Sequence, residues 1–492
     1  MPLALTRRTL LAAFVLLASL ALGLPLWPAE AADQGPDIRG IVSHGLVGVG
    51  RIAASQRDKF GETFGSGSGM AVDRSAWRRD GDGYSGTIWL LPDRGYNVEG
   101  TNDYRPRLNR LSIAFTPGRG NGQDQIVARL TDTLLLTDPT GAATTGLDPG
   151  QGGVRPATNG FPELPQAANG RLALDTEAVV RLPDGGWFIG DEYGPHIYRF
   201  SAEGRMLAAI RPPEALIPLR HGKTDFSSNN PGPGAKPPSP KDPEFGRPNN
   251  QGVEGLTLTP DGRTLVAILQ SATRQDGGTS PETRRYTRIL FYDVSDLSRP
   301  RLVREHVVPL PVFTGADGKQ KVAAQSELLA LGDDLFLLLC RDGGAGYGLK
   351  DPTSRYRRIE LLDTSKATNI AGTDYDRRTP VAPNGQLAAG VTPATLRPFI
   401  DLNDNAELGK FGLHNGAPND RDDLTEKWEA MGLLPALDPA APDDWFLFIA
   451  NDNDFITQDG FQAGEAYKDP SGLDLDTMLL AYRVTLPGYR GR

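Results

Sequence analysis

One pattern recurs along the chain and constrains its fold more than any other feature: two apolar runs are separated by a turn signal, and an acidic residue lies near the start of the first run. In one copy, the apolar runs 175–180 and 187–192 flank a Pro-Asp-Gly-Gly turn at 183–186. Short apolar runs joined by such a turn predict a β-hairpin. The pattern recurs with the same acid at Glu254, Glu327 and Glu429, and a first unit carries Ser68 at that position.

Two more strands with alternating apolar residues follow most of these hairpins, so each unit is predicted to be a four-stranded antiparallel sheet. The fifth unit lacks a fourth strand before the chain ends, and residues 40–54 are suited to supply it from the amino terminus. The repeats predict an all-β fold, a β-propeller of about five units closed by an N-terminal strand. Glu177 and Glu254 are 77 residues apart, more than a typical blade requires, so we expect long loops, and a count of six or seven blades stays open.

The amino terminus has the composition of an export signal. An arginine pair at 7–8 precedes an uncharged, mostly apolar run at 10–24, and Ala-Glu-Ala at 29–31 gives a small-x-small cleavage pattern. We therefore predict a signal peptide over 1–32, with the twin-arginine type as an alternative, and one propeller domain over 33–492. No later segment is long and apolar enough to cross a bilayer, so we expect a periplasmic or secreted protein without stable membrane insertion after cleavage.

Charge and cysteine content exclude several classes of function. The net charge is −9, and the basic clusters are short, so the concentrated positive field that nucleic-acid binding requires is missing. Cys340 is the single cysteine of the sequence, which excludes an intrachain disulfide and a zinc site built on several thiolates. An acidic chain of this kind is better suited to holding hard cations through oxygen ligands.

The repeated acids are the candidate chemical site. In a propeller the first strand of each blade lines the central channel, so the repeated glutamates are expected around one axis, beside the polar ends of the second strands. Carboxylates packed together repel one another unless a proton, an arginine or a metal ion neutralises them, and oxygen ligands favour a divalent cation, with calcium the first choice. The residues expected to carry catalysis are Glu177, Glu254, Glu327, Glu429 and Asp191.

Other residues at the strand ends are assigned to metal and substrate. Arg94 and Arg341 would face a small anionic, phosphorylated substrate, and Tyr193 and His196 would contact it and supply a proton. A purely structural role for each glutamate stays open, because such acids also hold blades together through hydrogen bonds. Residues 423–434, which include Glu429, also fit a capped helix, so a helix is an alternative to a strand there. The expected metal ligands are Asp93, Glu192, Asn451 and Asp452.

Six motifs of the chain carry a family resemblance, and they lie at 93–97, 175–178, 191–195, 251–256, 326–327 and 451–455. Together they resemble the phytase-like ("esterase-like activity of phytase") family of exported bacterial β-propeller proteins. The resemblance spans roughly residues 40–486 and implies a propeller with a phosphoesterase-type activity. Two departures from a symmetric ring of acids are Ser68 in the first unit and Gln270 at the end of the second strand of the third unit.

Three functions are compatible with the sequence. The first is an exported, metal-dependent phosphoesterase that hydrolyses phosphomonoesters or phosphodiesters at the propeller axis. The second is a calcium-dependent lactonase or carboxylesterase on the same architecture. The third is a non-catalytic propeller that binds a ligand of the cell envelope. A fold alone does not choose among them, because propellers carry many unrelated functions.

Overall fold

The computed structural model describes residues 38, 40–65, 67–118 and 124–491 of the 492-residue chain. The predicted signal peptide, 1–32, lies outside these residues. The described chain forms five four-stranded antiparallel sheets that are arranged as the blades of a propeller. The innermost strand of each blade packs beside the innermost strands of the two neighbouring blades, which closes the ring in the order 1-2-3-4-5. The predicted β-propeller is therefore confirmed, with five blades within the described residues.

The strands of each blade follow one another from the channel outward, except that the outer strand of blade 5 comes from the amino terminus. From the innermost to the outermost strand, blade 1 consists of Gly69–Asp80, Gly83–Leu91, Arg107–Phe115 and Ile126–Leu135; blade 2 of Thr176–Arg181, Trp187–Asp191, Ile197–Phe200 and Met206–Ile210; blade 3 of Val253–Leu258, Thr264–Leu269, Tyr286–Asp293 and Arg301–Pro309; blade 4 of Ala324–Ala330, Leu335–Arg341, Arg357–Asp363 and Thr395–Asp401; and blade 5 of Lys427–Pro435, Asp444–Asp452, Thr477–Thr485 and Val42–Ile52.

The remaining elements are short and belong to the loops. Within the described ranges there is one α-helix, Asn405–Leu408, and the segment that also fitted a helix is instead the strand Lys427–Pro435. None of the helices in this part of the chain is long and apolar enough to cross a bilayer. Four hairpins pair Val154–Arg155 with Leu164–Pro165, Leu219–Arg220 with Lys223–Thr224, Val312–Thr314 with Gln320–Val322, and Gly460–Gln462 with Glu465–Tyr467. The 3₁₀ turns are Glu214–Leu216, Arg274–Asp276, Asp374–Asp376, Pro383–Gly385 and Gly409–Phe411.

The N-terminal strand closes the ring, as the sequence predicts. Val42–Ile52 pairs antiparallel with Thr477–Thr485, from Val42 opposite Thr485 to Ile52 opposite Thr477. This pairing joins the two ends of the chain in one sheet, so blade 5 presents no gap where the fold begins and ends. Closing a ring in this way removes unpaired inner strand edges, which would otherwise attract other chains.

The core lies between the faces of neighbouring blades. Between blades 5 and 1, for example, Trp77 stacks on Tyr84 at 5.3 Å between ring centroids, and Tyr84 packs edge-to-face on Phe446 at 5.0 Å. All three side chains are buried, and aromatic pairs of this kind contribute about 0.5–1.5 kcal/mol beyond their burial. The innermost strands leave a narrow axial cavity of about 130 Å³. Its apolar lining includes Met70, Val72, Leu256, Leu258, Leu329, Met431 and Leu433.

Candidate functional site

A β-bulge at the start of the innermost strand recurs in blades 2 to 5, and in blade 1 Ser68 occupies the corresponding position just before the strand. In blade 2, Thr176 pairs with Asp191 and Ala178 pairs with Gly190, so Glu177 is left between them without a partner in the ladder. A bulge of this kind bends the strand and aims the extra side chain in a new direction. The residues at this position, here named the bulge ring, are Ser68, Glu177, Glu254, Ser326 and Glu429.

Glu327 does not belong to the bulge ring, although the sequence pattern aligns it with the other glutamates. In blade 4 the ladder skips Ser326, and Glu327 pairs with Leu339. The other four blades have Gly or Ala at the position of Glu327: Gly69, Ala178, Gly255 and Ala430. Glu327 lines the axial cavity, and its carboxylate accepts the Leu328 N–H at 2.8 Å. Glu327 therefore lies one residue beyond the bulge position that Glu177, Glu254 and Glu429 occupy in their blades.

A second ring lies at the ends of the second strands. In blade 2, for example, Ala178 follows the bulge and pairs with Gly190, and the ring residue Glu192 lies two positions beyond Gly190. The other blades follow the same rule, and in blade 1 the equivalent pair is Gly69 and Leu91. These residues, here named the strand-end ring, are Asp93, Glu192, Gln270, Arg341 and Asp452 in blades 1 to 5. Acids occupy the ring on the adjacent blades 5, 1 and 2, whereas blades 3 and 4 contribute an amide and a guanidinium.

Five acids of the two rings and two further aspartates form a continuous group of carboxylates, here named the acid cluster. Three overlapping sets of three residues have oxygen atoms that all lie within 4.8 Å of one another. Asp93 and Glu177 each belong to two of the sets, so the sets form one chain of acids across blades 5, 1, 2 and 3. The sets are Asp93 with Asp175 and Glu177; Asp93 with Asp452 and Asp454; and Glu177 with Glu192 and Glu254.

Three basic side chains offset only part of this charge. Arg94 Nη1 lies 2.8 Å from Asp175 Oδ2, Lys427 Nζ lies 3.1 Å from Asp452 Oδ2, and Arg341 pairs with Glu429. The seven carboxylates of the acid cluster and Glu429 make eight acids, and three bases leave 8 − 3 = 5 negative charges when all groups are ionised. Charge of this density in a buried site requires protons or cations.

The pKa values of the clustered acids follow from this crowding. Burial, and then the neighbouring Glu254, raise the pKa of Glu177 well above its ordinary value. Burial, and then Glu192, do the same to the pKa of Glu254. Burial raises the pKa of Asp175 to about 6, although Arg94 opposes the shift. The protein alone therefore favours partly protonated acids, and a bound cation would favour the ionised forms.

Several carboxylate oxygens of the cluster lack a protein partner. Asp175 Oδ1, Glu192 Oε2 and Glu254 Oε2 are buried and accept no hydrogen bond from the described part of the chain. Within the same part, the Glu177 carboxylate accepts no hydrogen bond and forms no ion pair, and the residue is only 7% exposed. Buried polar atoms are normally satisfied, so these oxygens point to a ligand. Oxygen-only ligation at this charge density fits calcium or magnesium.

Two of the predicted site residues hold the local chain conformation instead of facing the cluster. Asp191 accepts four hydrogen bonds: from the N–H groups of Asp175, Tyr193 and Gly194 and from the hydroxyl of Tyr198. Burial raises the pKa of Asp191 to about 7. Asn451, at the equivalent position in blade 5, accepts the Met478 N–H and donates to Thr425 Oγ1 at 2.9 Å. Both side chains thus fix the turns on which the cluster residues stand.

Tyr193 and His196 are also buried in structural positions. The Tyr193 hydroxyl donates to the carbonyl of Gly146 at 2.7 Å, and burial raises the pKa of this phenol well above its ordinary value. His196 packs between the rings of Tyr198 and Phe226, and its complete burial lowers the pKa to about 3. Neither arrangement presents a proton donor to the acid cluster.

Sequence reasoning missed three members of the site. Asp175 lies two residues before Glu177 in blade 2, and Lys427 lies two residues before Glu429 in blade 5. In the other blades, the residue two positions before the bulge ring is not ionisable. Asp454 follows the second strand in an Asn-Asp-Asn-Asp run that also reads as a polar turn. Asp454 and Phe455 have positive φ angles of 51° and 56°, a conformation that L-residues rarely adopt and that is concentrated at functional sites. The repeat period gave no signal for these residues because each occurs in one blade or two.

Two solved structures that match this chain are distant from it in sequence. A PQQ-bound aldose sugar dehydrogenase from Streptomyces coelicolor is 11% identical, with 90% of this chain and 98% of that chain covered and a TM-score of 0.26. Sqt1 from Saccharomyces cerevisiae is 10% identical, with 82% and 69% covered and a TM-score of 0.24. At these scores neither likeness bears on the fold or the chemistry of the site.

Comparison at the sequence level is far closer. A relative from Arthroderma benhamiae, named "Uncharacterized secreted protein", is 40% identical over 453 residues, which cover 85% of this chain and 88% of the relative. The family model "Phytase-like", described as "Esterase-like activity of phytase", matches residues 62–455. This range includes all five innermost strands and every member of the acid cluster. The chain therefore belongs to the phytase-like family.

Proposed function

We propose that this protein is an exported phosphoesterase that holds a divalent cation, calcium in the first instance, in the acid cluster. The observation that carries the proposal is the set of buried carboxylate oxygens without protein partners, on Asp175, Glu192 and Glu254. Membership of the phytase-like family supports hydrolysis of phosphate esters. The name of the Arthroderma benhamiae relative, a secreted protein, supports export.

The residues present fit a divalent cation. Glu177 is the shared member of two carboxylate sets, so it would be a ligand both to a cation held with Glu192 and Glu254 and to one held with Asp93 and Asp175. When bound, the cation would neutralise these acids and withdraw charge from the oxygens of a phosphoryl group. Arg94 and Lys427 already pair with Asp175 and Asp452, and these pairs would hold the outer ligands in position.

Glu429 is the candidate proton acceptor. It lies outside the three carboxylate sets, and burial raises its pKa to about 7, near the pH at which a general base works best. Arg341 pairs with Glu429 and would bind the phosphoryl oxygens at the same place. A water molecule would attack phosphorus and pass a proton to Glu429 while the P–O bond to the leaving alcohol breaks. The alkoxide would take a proton from solvent water, and Glu429 would return its own proton to solvent.

The proposal is tested by hydrolysis of p-nitrophenyl phosphate and bis-p-nitrophenyl phosphate, each with calcium and with a chelator. We expect calcium-dependent release of nitrophenol. Glu177→Gln should abolish the rise in melting temperature caused by calcium, because it removes the ligand shared by two sets. Glu429→Gln should retain that rise and lower kcat by about 10²–10⁴-fold, as expected for the loss of a general base.

Other outcomes would redirect the assignment. Calcium-dependent turnover of lactones or carboxylic esters without phosphate release would replace the phosphoesterase with the second hydrolase. Identical melting temperatures in calcium and in chelator, together with no turnover of any ester, would favour the non-catalytic propeller that binds a ligand of the cell envelope. Parallel circular dichroism of both variants separates loss of the site from loss of the fold.

A further inference from the structure

A polar cavity, here named the edge cavity, lies between the outer strands of blades 4 and 5. Its volume is about 340 Å³, within the range of small-molecule sites. One wall is the start of Val42–Ile52, and the other is the end of Thr395–Asp401 with the short helix that follows. His44 lines the cavity, and its Nε2 is hydrogen-bonded to Thr485 Oγ1 at 2.7 Å. The lining residues that bear on a ligand are Gly45, Phe399, Asp401, Asp404, Glu407 and Tyr482.

An irregular turn of the outer strand holds Glu407 in the cavity wall. The ladder of Val42–Ile52 shifts register just before Leu46, and the Leu46 N–H donates to Glu407 Oε2 at 3.0 Å. Gly45 has a φ angle of +90°, and a Cβ atom there would lie 2.3 Å from Glu407 Oε2, so a larger residue would displace the carboxylate. Leu46 is opposite Tyr482 in the ladder, so Glu407 is fixed beside the strand pair that carries Tyr482.

The three acids of the edge cavity are only partly matched by basic side chains. Arg358 Nη2 lies 2.9 Å from Asp401 Oδ2, and Lys410 pairs with Glu407. Asp404 forms no ion pair in the part of the chain that the structure describes. Three ionised acids and two bases leave 3 − 2 = 1 negative charge. None of the sets of acids that are close enough to share a metal ion within the described residues includes these three, so the cavity suits a larger cationic group.

Tyr482 brings a hydroxyl without a partner to the same cavity. The residue is 1% exposed, and its hydroxyl is buried and has no hydrogen-bond partner among the described residues. Burial, and then Glu407, Asp401 and Asp404, raise the pKa of Tyr482 above its ordinary value, so the phenol keeps its proton. Buried hydroxyl groups are normally hydrogen-bonded, and this one therefore calls for a ligand atom that accepts its proton.

We propose that the edge cavity binds an amino sugar, whose ammonium lies beside Asp404 and one of whose oxygens accepts a hydrogen bond from the Tyr482 hydroxyl. The ammonium supplies the one positive charge that the acids lack, and the sugar hydroxyls can donate to the carboxylates. Half-buried Phe399 offers a ring to the apolar face of a pyranose. A neutral sugar would leave the charge of Asp404 unmatched. This site does not depend on the proposed function, because it shares no residue with the acid cluster.

The first test is calorimetric titration of the protein with D-glucosamine, with D-glucose and ethanolamine as comparison probes. D-glucose has the ring without the ammonium, and ethanolamine has the ammonium without the ring. We expect each of them to bind at least about fivefold more weakly than D-glucosamine, since each lacks a charged contact or several polar ones. The acid cluster also attracts ammonium groups, so Glu177→Gln serves as a control, and it should change the affinity for D-glucosamine by less than about twofold.

The second test removes single contacts. Tyr482→Phe should weaken D-glucosamine binding about threefold to tenfold, the effect of one lost hydrogen bond, and Asp404→Asn should weaken it about threefold. The matched control Asp333→Asn removes an exposed acid from the turn between the first two strands of blade 4, outside the cavity, and should change the affinity less than about twofold. Tyr482→Phe should melt no lower than the wild type, because the hydroxyl that it removes has no protein partner.

The outcomes separate the inference from its alternatives. No binding of D-glucosamine, or equal binding of D-glucose or ethanolamine, would overturn the amino sugar. Unchanged affinity in a folded Tyr482→Phe protein would overturn the site, and so would a loss of binding in Glu177→Gln that matches the loss in Asp404→Asn.

Discussion

Lys427 Nζ lies 3.1 Å from Asp452 Oδ2 and also pairs with Asp454, so one ammonium group serves two carboxylates at the blade 5 edge of the acid cluster. The neighbouring acids raise the pKa of Lys427 above its ordinary value despite its burial, and the ammonium stays charged. In the part of the chain that the structure describes, the other end of the cluster, where Glu177, Glu192 and Glu254 meet, has no ion pair of its own, although the charges of Arg94 and Arg341 oppose the rise in the pKa of Glu192 and of Glu254. This difference predicts where added metal acts.

Replacing Lys427 by Met should make the protein depend more on added cations. Removing the ammonium leaves Asp452 and Asp454 without their counter-ion, which should cost about 1–3 kcal/mol in the free energy of unfolding in chelator. Added calcium should restore more of the stability of Lys427→Met than it adds to the wild type. Denaturant unfolding with and without calcium measures both effects, and an equal calcium effect in the two proteins would contradict the prediction.

Glu327→Gln should leave calcium binding unchanged, in contrast to Glu177→Gln. The two residues look equivalent in the sequence, but the bulge in blade 4 puts Ser326 in the ring and turns Glu327 into the wall of the axial cavity. We expect a change of less than about twofold in calcium affinity for Glu327→Gln, because the residue belongs to none of the three carboxylate sets. Calorimetric titration with calcium compares the variants, and equal losses would refute the assigned register.

Glu305→Gln should flatten the pH dependence of stability. Burial raises the pKa of Glu305 from its ordinary 4.5 to about 8, even though Arg288 Nη1 lies 2.8 Å from its Oε1. An acid whose pKa is raised by folding stabilises the fold fully below its unfolded pKa, and this contribution is lost as the pH rises toward the folded value. The wild type should therefore lose stability relative to Glu305→Gln between about pH 4.5 and 8. Urea unfolding across this range, in chelator, provides the comparison.

Deleting residues 38–54 should prevent stable folding, whereas a chain that begins at residue 33 should fold normally. The deletion removes Val42–Ile52, which leaves blade 5 with three strands and exposes the edge of Thr477–Thr485. A synthetic peptide with the sequence of residues 38–54, added during refolding, should restore a cooperative melting transition. A stable, cooperatively melting deletion protein without the peptide would show that closure is dispensable.

The ring could be read from the sequence because its signals are local. Apolar runs and turn residues mark each hairpin, and the missing fourth strand of the last unit points directly to residues 40–54. Most of the acid cluster follows from the same repeat, since Glu177, Glu254 and Asp452 occupy repeated positions. Repetition was sufficient for these residues because every blade meets the axis in the same way.

What the sequence did not reveal depends on pairing and on contacts between distant loops. The position of a bulge shifts by one residue when the strand pairs in another register. The sequence at Ser326 and Glu327 does not indicate which of the two residues is left out of the pairing. Tyr193 and His196 have side chains suited to acid–base chemistry, but the Tyr193 hydroxyl donates to the carbonyl of Gly146, and His196 packs between the rings of Tyr198 and Phe226.

The apolar side chains that line the axial cavity affect how ions can pass through the molecule. Met70, Leu256, Leu329 and Met431 cannot replace the hydration shell of an ion that moves past them, so its passage would be costly, although Arg74, Arg181 and Glu327 also line the cavity. Under the proposed function, a phosphate released beside the acids would then leave on the side from which the ester entered. Product and substrate would share one route, and accumulating phosphate would slow turnover by competing for it.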